Sequence, residues 1–464
     1  MYRHQRRLPE AEALIREALG IRQKIFGNEH LDVADSLHNL SIVLADQGKG
    51  AESEERAREV LAMRRRLLGE EHALVAAALV DVAYALGFTS KLEEAESLQR
   101  EALAMQRKLL GDEHPDVSVS LSSLGDRMRQ RGNVAEAQTV SSAALSIQRK
   151  LLGDDSPDVM FSLSSLGATL EAQGKLVEAE AAHREALVLW RKREGNASPR
   201  ALSALESVAR VLKAQKTFGD AEQFVDETLT PALVKQPSSA DLLALRVDLK
   251  ARRGQWQEAA TDAALSLEHD PFHNSRFPMV ASLLVKTHDR PAYEQLRTRL
   301  LTTYANTTNC YVADQVAKAC LFLPASEADL KVIGHLADTA VTQGIGDKNA
   351  MPFFQTCKAL SEYRQGHYPE AVEWAQKPLK ISRNYVHGHT YAVLAMAYWK
   401  LEKKDEARAT LAKGDTLAPR IMPVSVAEDP GNKWLAWLYA RIQLDEATAL
   451  IQPATITDNN SKQP

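Results

Sequence analysis

The sequence predicts an all-α fold in which antiparallel helix pairs stack into an α-α superhelix. Three observations predict it. Two short motifs recur every 42 residues, the apolar residues between them follow the period of an α-helix, and glycines and prolines recur where such helices would end and begin. Self-similarity at a fixed spacing of this size is the sequence signature of stacked supersecondary units.

The first motif is a four-residue loop that begins with glycine and is rich in acidic residues. It recurs without slippage as GNEH at Gly27, GEEH at Gly69, GDEH at Gly111, GDDS at Gly153 and GNAS at Gly195. The second motif, GKLVEAE at Gly174, keeps the same spacing and extends backwards to RRLPEAE at Arg6. Two motifs in constant register define one repeating unit.

Each unit is predicted to contain two helices. In its first half, apolar or small residues recur three and four positions apart, as in Leu121, Leu124, Gly125 and Met128, and this spacing gives one face of an α-helix. The second half, EAEAAHREALVLWRKREG in one unit, is rich in good helix formers and ends at a glycine. A proline follows this stop in three units, where the next helix would begin: Pro115, Pro157 and Pro199.

The first-helix pattern, the small residue within it and the G-K-x-x-E-A-E turn resemble the tetratricopeptide repeat. The 42-residue spacing with its G-[DE]-[DE]-H-P-[DE]-V loop is similar to the longer variety found in kinesin light chains and in many bacterial repeat proteins. The resemblance covers about residues 6–236 and implies a tetratricopeptide repeat solenoid.

After about Thr230 the 42-residue spacing fails, but the chain keeps related motifs. GQWQEA at Gly254 and GHYPEA at Gly366 carry the same turn, and Ala371 and Ala407 lie 36 residues apart, close to the shorter repeat form. We therefore expect five segments: an incomplete first repeat with only its second helix (1–26), 42-residue repeats (27–236), shorter and degenerate repeats (237–430), a C-terminal capping helix (431–451) and a disordered tail (452–464).

Part of the second half suggests an alternative. The strings VADQVAKACLFLP, EYRQGHYPEAVEWAQK, AMAYWKLEKKDEARATL and WLAWLYARIQLDEATALI are similar to the C-terminal region of repeat-bearing serine/threonine protein kinases of planctomycete and verrucomicrobial bacteria. This similarity implies a regulatory or substrate-docking region associated with a kinase domain. The sequence itself lacks the G-x-G-x-x-G, V-A-I-K, H-R-D and D-F-G motifs of a kinase, so it predicts no catalytic residue.

Composition excludes several other classes. A formal net charge of -4 gives no basic field for nucleic acid, and no apolar run approaches the ~18 residues of a membrane-spanning helix. We expect a cytoplasmic protein without cofactor or bound metal. The regularly spaced His30, His72 and His114 sit one per repeat rather than converging on one ion, so they are predicted to cap helices.

The candidate binding residues lie on the first helices, which in the resembled family line the concave wall. One position recurs as a short polar residue able to hydrogen-bond the backbone of an extended peptide: Asn39, Asp81, Ser123, Ser165 and Ser207. Neighbouring positions add His38, Tyr84, Arg129 and Arg210. The sequence predicts a non-catalytic scaffold for a protein or extended peptide; the alternative for the small residues is that they only allow close helix packing or face water.

Overall fold

A computed structural model describes residues 8–89, 91–380, 384–423 and 433–453, with the backbone alone at 384–386. Of the predicted first repeat, residues 1–7 lie outside the described residues, as do residues 454–464 of the predicted tail. Throughout the described part the chain forms helices and no strand, which confirms the all-α prediction. It divides into two compact units: unit 1, Met1–Gln215, and unit 2, Lys216–Pro464.

Unit 1 contains ten described helices. They are α1 (Leu8–Phe26), α2 (Leu31–Asp46), α3 (Gly50–Leu68), α4 (Ala73–Phe88), α5 (Leu92–Leu110), α6 (Pro115–Gln130), α7 (Val134–Leu152), α8 (Pro157–Ala172), α9 (Leu176–Glu194) and α10 (Pro199–Ala214). We call α2, α4, α6, α8 and α10 the first helices, and α3, α5, α7 and α9 the second helices. Each helix packs most closely against its neighbours in the sequence.

The histidines of the recurring loop cap the first helices, as the sequence predicts. The Nδ1 atoms of His30, His72 and His114 accept hydrogen bonds from backbone N–H groups two residues later, at 3.1, 3.1 and 3.2 Å. Ser156 and Ser198 fill the same position before α8 and α10 with their hydroxyl oxygens. Each cap satisfies one of the N–H groups that a helix start leaves without a partner.

The glycine that ends each second helix adopts a backbone that other residues avoid. Gly69, Gly111, Gly153 and Gly195 have φ between 75° and 87° and ψ between 163° and 176°. The extended ψ distinguishes this backbone from the left-handed helical conformation. Such a combination is essentially restricted to glycine, which explains why the loop motif begins with this residue.

Separate apolar clusters join consecutive helix pairs of unit 1. One cluster contains Val33 of α2, Val60 of α3, Leu79 of α4 and Ala102 of α5, all buried. Because its members come from two successive repeats, neither repeat completes this core alone. Stacking of neighbours therefore supplies the burial that stabilises each pair.

Polar contacts at the turn motif link each second helix to the next turn. The second glutamate of the EAE sequence, or its replacement, meets a side chain of the following repeat: Lys49 with Glu12 (3.0 Å), Lys91 with Glu54 (2.9 Å), Arg131 with Glu96 (2.6 Å), Lys175 with Gln138 (2.9 Å) and Gln215 with Glu180 (3.1 Å). We call these contacts the turn ladder. The recurrence of the motif thus reflects a contact between repeats as well as a turn.

Unit 2 contains thirteen described helices and two short 3-10 helices, Pro237–Ser239 and Asn274–Arg276. The helices are α11 (Phe218–Thr228), α12 (Pro231–Val234), α13 (Ala240–Arg252), α14 (Trp256–His269), α15 (Phe277–Lys286), α16 (Arg290–Tyr304), α17 (Cys310–Cys320), α18 (Glu327–Gln343), α19 (Met351–Gln365), α20 (Tyr368–Leu379), α21 (Asn384–Lys400), α22 (Lys404–Leu417) and α23 (Lys433–Ile451). One apolar core runs through the unit from Val247 to Ile451.

The last helix, α23, contacts helices from both ends of unit 2. It packs against α21 and α22, and also against α15. Trp434 donates its indole N–H to Oδ1 of Asp248 on α13 at 2.6 Å, and Gln443 contacts the carbonyl of Phe322 after α17. Trp434 therefore links α23 to α13, near the start of unit 2.

Candidate functional site

The candidate surface is the face that the five first helices present at one recurring position and its neighbours. The predicted residues lie on these helices as expected: His38 and Asn39 on α2, Asp81 and Tyr84 on α4, Ser123 and Arg129 on α6, Ser165 on α8, and Ser207 and Arg210 on α10. We call them the first-helix face. Several of them contact each other across neighbouring repeats.

His38 and Asp81 join α2 to α4. His38 Nδ1 lies 2.7 Å from Oδ2 of Asp81, and both side chains are partly buried. The hydrogen bond to Asp81 is the main reason why the pKa of His38 is raised above its ordinary value, although burial opposes it. This pair ties two predicted residues together rather than leaving both for a ligand.

Asp126 and Ser165 join α6 to α8. The Ser165 hydroxyl donates to Oδ1 of Asp126 at 2.8 Å, and Arg129 approaches the same oxygen at 3.4 Å. Ser165 is therefore engaged by the neighbouring repeat. The same carboxylate also holds Arg129 on its own helix.

Glu171 and Arg210 join α8 to α10. The guanidinium of Arg210 makes two hydrogen bonds to the Glu171 carboxylate, at 3.0 and 2.9 Å, and a weaker one at 3.4 Å to the hydroxyl of Ser207. His183 on α9 places its Nε2 atom 2.8 Å from Oε1 of the same carboxylate, an oxygen that Arg210 also contacts. Burial alone would raise the pKa of Glu171, but the hydrogen bonds from His183 and Arg210 outweigh it and lower this pKa to about 2.

The other predicted residues are open to contact. Asn39 is exposed and Ser123 is half-buried, and neither side chain has a hydrogen-bond partner within the part of the chain that the structure describes. Tyr84 is 43% exposed and meets Phe88 edge to face, with ring centroids 5.2 Å apart. Ile42, one repeat before Tyr84, is also exposed. An exposed apolar area thus lies beside Asn39 on α2 and α4.

The five short polar residues do not form a uniform row of hydrogen-bonding groups. Asp81 and Ser165 are held by neighbouring first helices, and Ser207 donates to the carbonyl of Ser203 within its own helix. The structure therefore divides the first-helix face into paired groups, which fix neighbouring helices, and open groups on α2, α4 and α6.

Sequence reasoning missed three residues that shape this face. Glu171 shares the repeat position of Arg129, so the 42-residue spacing could have identified it. Arg127 donates to the carbonyls of Ala83 and Tyr84 at 3.3 and 3.4 Å, and its guanidinium lies where a side chain at Gly87 would be. His183 packs against Gly167 in the same way. Gly167 is the small residue of the first-helix pattern, whereas Gly87 occupies the repeat position of Arg129 and Glu171.

A match to a known family covers part of the chain. The model of the tetratricopeptide repeat matches residues 1–66, 36–108, 74–150 and 128–187. These residues are tetratricopeptide repeats. The part of the first-helix face on α2, α4, α6 and α8 therefore lies within tetratricopeptide repeats.

Solved structures of repeat proteins resemble the chain at low sequence identity. BtubC (BKLC) from P. vanneervenii is 18% identical, with a TM-score of 0.43, and the match covers 48% of this chain and 89% of that one. The Podosopora anserina kinesin light chain-type protein with nearly identical TPR-like repeats is 25% identical, with a TM-score of 0.39 and coverages of 43% and 95%. A tetratricopeptide repeat protein from Parabacteroides merdae is 15% identical, with a TM-score of 0.39 and coverages of 56% and 94%. No curated protein matches the sequence.

Two structural observations concern membranes and metals. Over the described ranges, no helix combines the length and apolar character needed to cross a lipid bilayer. Among the same residues, no three histidine, cysteine, aspartate or glutamate side chains gather as a metal site would require.

Proposed function

We propose that the chain is a non-catalytic interaction scaffold whose first-helix face binds an extended segment of a protein partner. The observation that carries this proposal is the recurrence of short polar side chains at one position on five consecutive first helices, with the aromatic Tyr84 three residues after one of them. A tetratricopeptide repeat stack is consistent with a protein-interaction role. The kinase-associated alternative remains a prediction from the sequence.

The open groups suit a peptide in an extended conformation. The amide of Asn39 can donate and accept, which matches the two hydrogen-bonding groups of a peptide unit. Adjacent helices pack about 8–10 Å apart, and an extended chain rises about 3.3 Å per residue, so a peptide would meet a new helix about every third residue. Next to the peptide unit bound by Asn39, an apolar side chain of the peptide would contact Tyr84, Phe88 and Ile42.

The paired groups fix the positions of the first helices that carry the open groups. The pairs His38–Asp81, Asp126–Ser165 and Glu171–Arg210 each join neighbouring first helices, so folding already fixes the spacing of the face. Binding then requires less ordering of the scaffold, which favours affinity. Arg210 remains accessible, with 56% of its side chain exposed, and adds positive charge at the α10 end.

The test is peptide selection on the full chain. A library of random peptides displayed on phage is selected against the purified protein, and the affinity of enriched peptides is measured by fluorescence polarisation. We expect Asn39→Leu and Tyr84→Ala each to weaken binding about tenfold or more, because they remove an amide contact and an aromatic contact.

Val177→Ala is the matched control. Val177 lies on α9, a second helix, and is 77% exposed, so its truncation removes exposed apolar surface away from the first-helix face. It should leave peptide affinity unchanged. Enriched peptides that bind the Asn39 and Tyr84 variants as well as the natural chain would refute the proposed surface, and so would a selection that enriches none.

A further inference from the structure

Unit 2 contains a cavity of about 580 Å³ that lies apart from the first-helix face. It is open to solvent on one side and lined by residues of α17, α19, α21 and α23. Cavities of this size hold small organic ligands in many proteins. Its lining joins aromatic rings to a small set of buried polar side chains.

Four aromatic rings form much of the wall. Tyr311 and Phe354 meet edge to face with centroids 5.8 Å apart, and Phe353 and Tyr439 line the same space. Rings placed in this way offer faces and edges to a flat ring between them. The wall therefore favours a flat aromatic molecule over a branched aliphatic one.

Among the polar residues of the lining, Asp314, Lys318 and His389 are 1%, 8% and 7% exposed. Lys318 Nζ donates to Oδ2 of Asp314 at 2.7 Å, and Gln315 donates to the same oxygen at 3.1 Å. Oδ1 of Asp314 and Nε2 of His389 have no hydrogen-bond partner among the described residues. A buried polar atom without a partner costs about 1–3 kcal/mol, so a hydrogen-bonding group that reached either residue would stabilise the folded chain.

We propose that this cavity binds a small, uncharged aromatic molecule of one or two fused rings that carries an N–H or O–H donor. The donor would satisfy the Asp314 carboxylate, and the rings would lie among the four aromatic side chains. The site is separate from the peptide surface of unit 1, so it is an additional binding function.

The charges of the lining favour an uncharged ligand. Asp314 and Lys318 neutralise each other, so an ion placed beside them would lose its hydration without gaining an unpaired counter-ion. Burial, with the nearby Lys318 and Arg364, lowers the pKa of His389 to about 3, so its imidazole is neutral at physiological pH. The remaining charged lining residue, Lys433, is exposed to solvent.

The experiment compares two probes that differ in one hydrogen-bond donor. Indole has the predicted size and an N–H group, whereas 1-methylindole keeps the rings and lacks the donor. Calorimetric titration of the full chain should give a dissociation constant for indole of about 0.1–1 mM, which is reasonable for nine non-hydrogen atoms. The affinity for 1-methylindole should be at least about tenfold lower.

Two variants on α23 show where the probe binds. Ala436 lines the cavity, so Ala436→Phe should fill it and abolish indole binding, whereas Ala449 is exposed on the same helix and Ala449→Phe should not affect binding. Circular dichroism checks that both variants keep their helices.

Three outcomes would overturn the proposal: no indole binding to the folded natural chain, equal affinity for the two probes, or unchanged indole binding by a folded Ala436→Phe variant. If Ala436→Phe does not fold, Phe353→Leu replaces it as the lining variant and should weaken indole binding, because it removes one of the four rings.

Discussion

Single side chains in unit 1 connect neighbouring repeats as well as stabilise their own helix. His38 reaches Asp81 on the next first helix, and Glu171 receives both Arg210 from the next repeat and His183 from its own. His183 can occupy this position only because Gly167 has no side chain; a Cβ there would lie 2.5 Å from the imidazole ring. A change at one such residue therefore affects the contact between two repeats.

The His38–Asp81 pair should make unit 1 more stable at mildly acidic pH than at alkaline pH. Because the pKa of His38 is raised on folding, its contribution is complete below the unfolded value of about 6.5 and is lost as the pH rises through the raised value. His38→Gln should reduce the stability of α2 and α4 by up to about 1 kcal/mol at pH 5.5 and by less at pH 8.5. Amide hydrogen exchange of these helices measures the difference.

Asp81→Asn serves as the companion variant, because it should remove the same pH dependence from the other side of the pair. An equal loss of protection at both pH values in the His38→Gln variant would contradict the role assigned to histidine charge.

The close approach of His183 to Gly167 predicts opposite effects of alanine at two helical glycines. Gly167→Ala should lower the free energy of unfolding of unit 1 by about 1–3 kcal/mol, because the new methyl group overlaps the imidazole. Gly20→Ala on α1 meets no atom within 4 Å and should raise it by about 0.5–1 kcal/mol through better helix propensity. Urea unfolding followed by circular dichroism compares them, and a shift of the same sign for both would be inconsistent with the clash.

The helices differ in how far along the sequence their contact partners lie. The first and second helices of unit 1 contact their sequence neighbours, whereas α23 of unit 2 bonds to Asp248, 186 residues before Trp434. Trp437 on the same helix stacks on Trp256 with centroids 6.1 Å apart and donates to the carbonyl of Pro419 at 2.9 Å. This last helix therefore closes the core of unit 2 from α13 to α22.

Loss of the Trp434 hydrogen bond should destabilise α13, the helix that carries Asp248 far away in the sequence. Trp434→Phe keeps an aromatic ring but leaves Asp248 without its indole donor, which should cost about 1.5–3 kcal/mol because the acceptor is charged and buried. Hydrogen exchange in α13 should then rise.

Trp374→Phe is the control for that variant, because Trp374 is half-buried on α20 and contacts Lys377 of its own helix. It should cost about 1 kcal/mol or less and leave α13 protected. Unchanged protection of α13 in Trp434→Phe would show that the bond does not hold α23 in place.

The sequence predicted elements well where a local pattern determined them. The starts of α6, α8 and α10 fall on the prolines of the repeat, and the loop histidines cap the first helices as their position indicates. The position of Trp434 could not be predicted in the same way, because no local periodicity encodes a contact with a residue so distant in the chain. The pairing of Asp81 and Ser165 also depends on side-chain directions that the spacing alone does not specify.

At the scale of the molecule, many carboxylates stabilise the fold only while ionised. Lysine, arginine or histidine partners lower the pKa values of Glu12, Glu54, Glu96 and Glu171 in unit 1, although burial opposes this at all four. In unit 2, burial alone would raise the pKa of Glu362, but hydrogen bonds from Lys358 and His367 lower it. Both units therefore contain carboxylates whose protonation weakens the folded state.

Acid should therefore destabilise unit 1 in a defined range of pH. A carboxylate whose pKa falls on folding contributes fully above its unfolded value of about 4.3 and loses that contribution as the pH drops towards the folded value, about 2 for Glu171. Thermal unfolding between pH 7 and pH 2.5 should show a falling midpoint below about pH 4.5. Glu54→Gln combined with Glu96→Gln should lower the midpoint at pH 7 and flatten this decline, and an undiminished decline would contradict the assignment.

Regularly spaced ion pairs between repeats limit how the gene for this chain can change length. Lys108 pairs with Glu71, Lys150 with Glu113 and Lys192 with Asp155, always 37 positions apart. Duplicating or losing one whole stretch of 42 codons brings matching partners together again at the new junction. An insertion of any other size would separate them, so natural variation in this chain should proceed by entire modules.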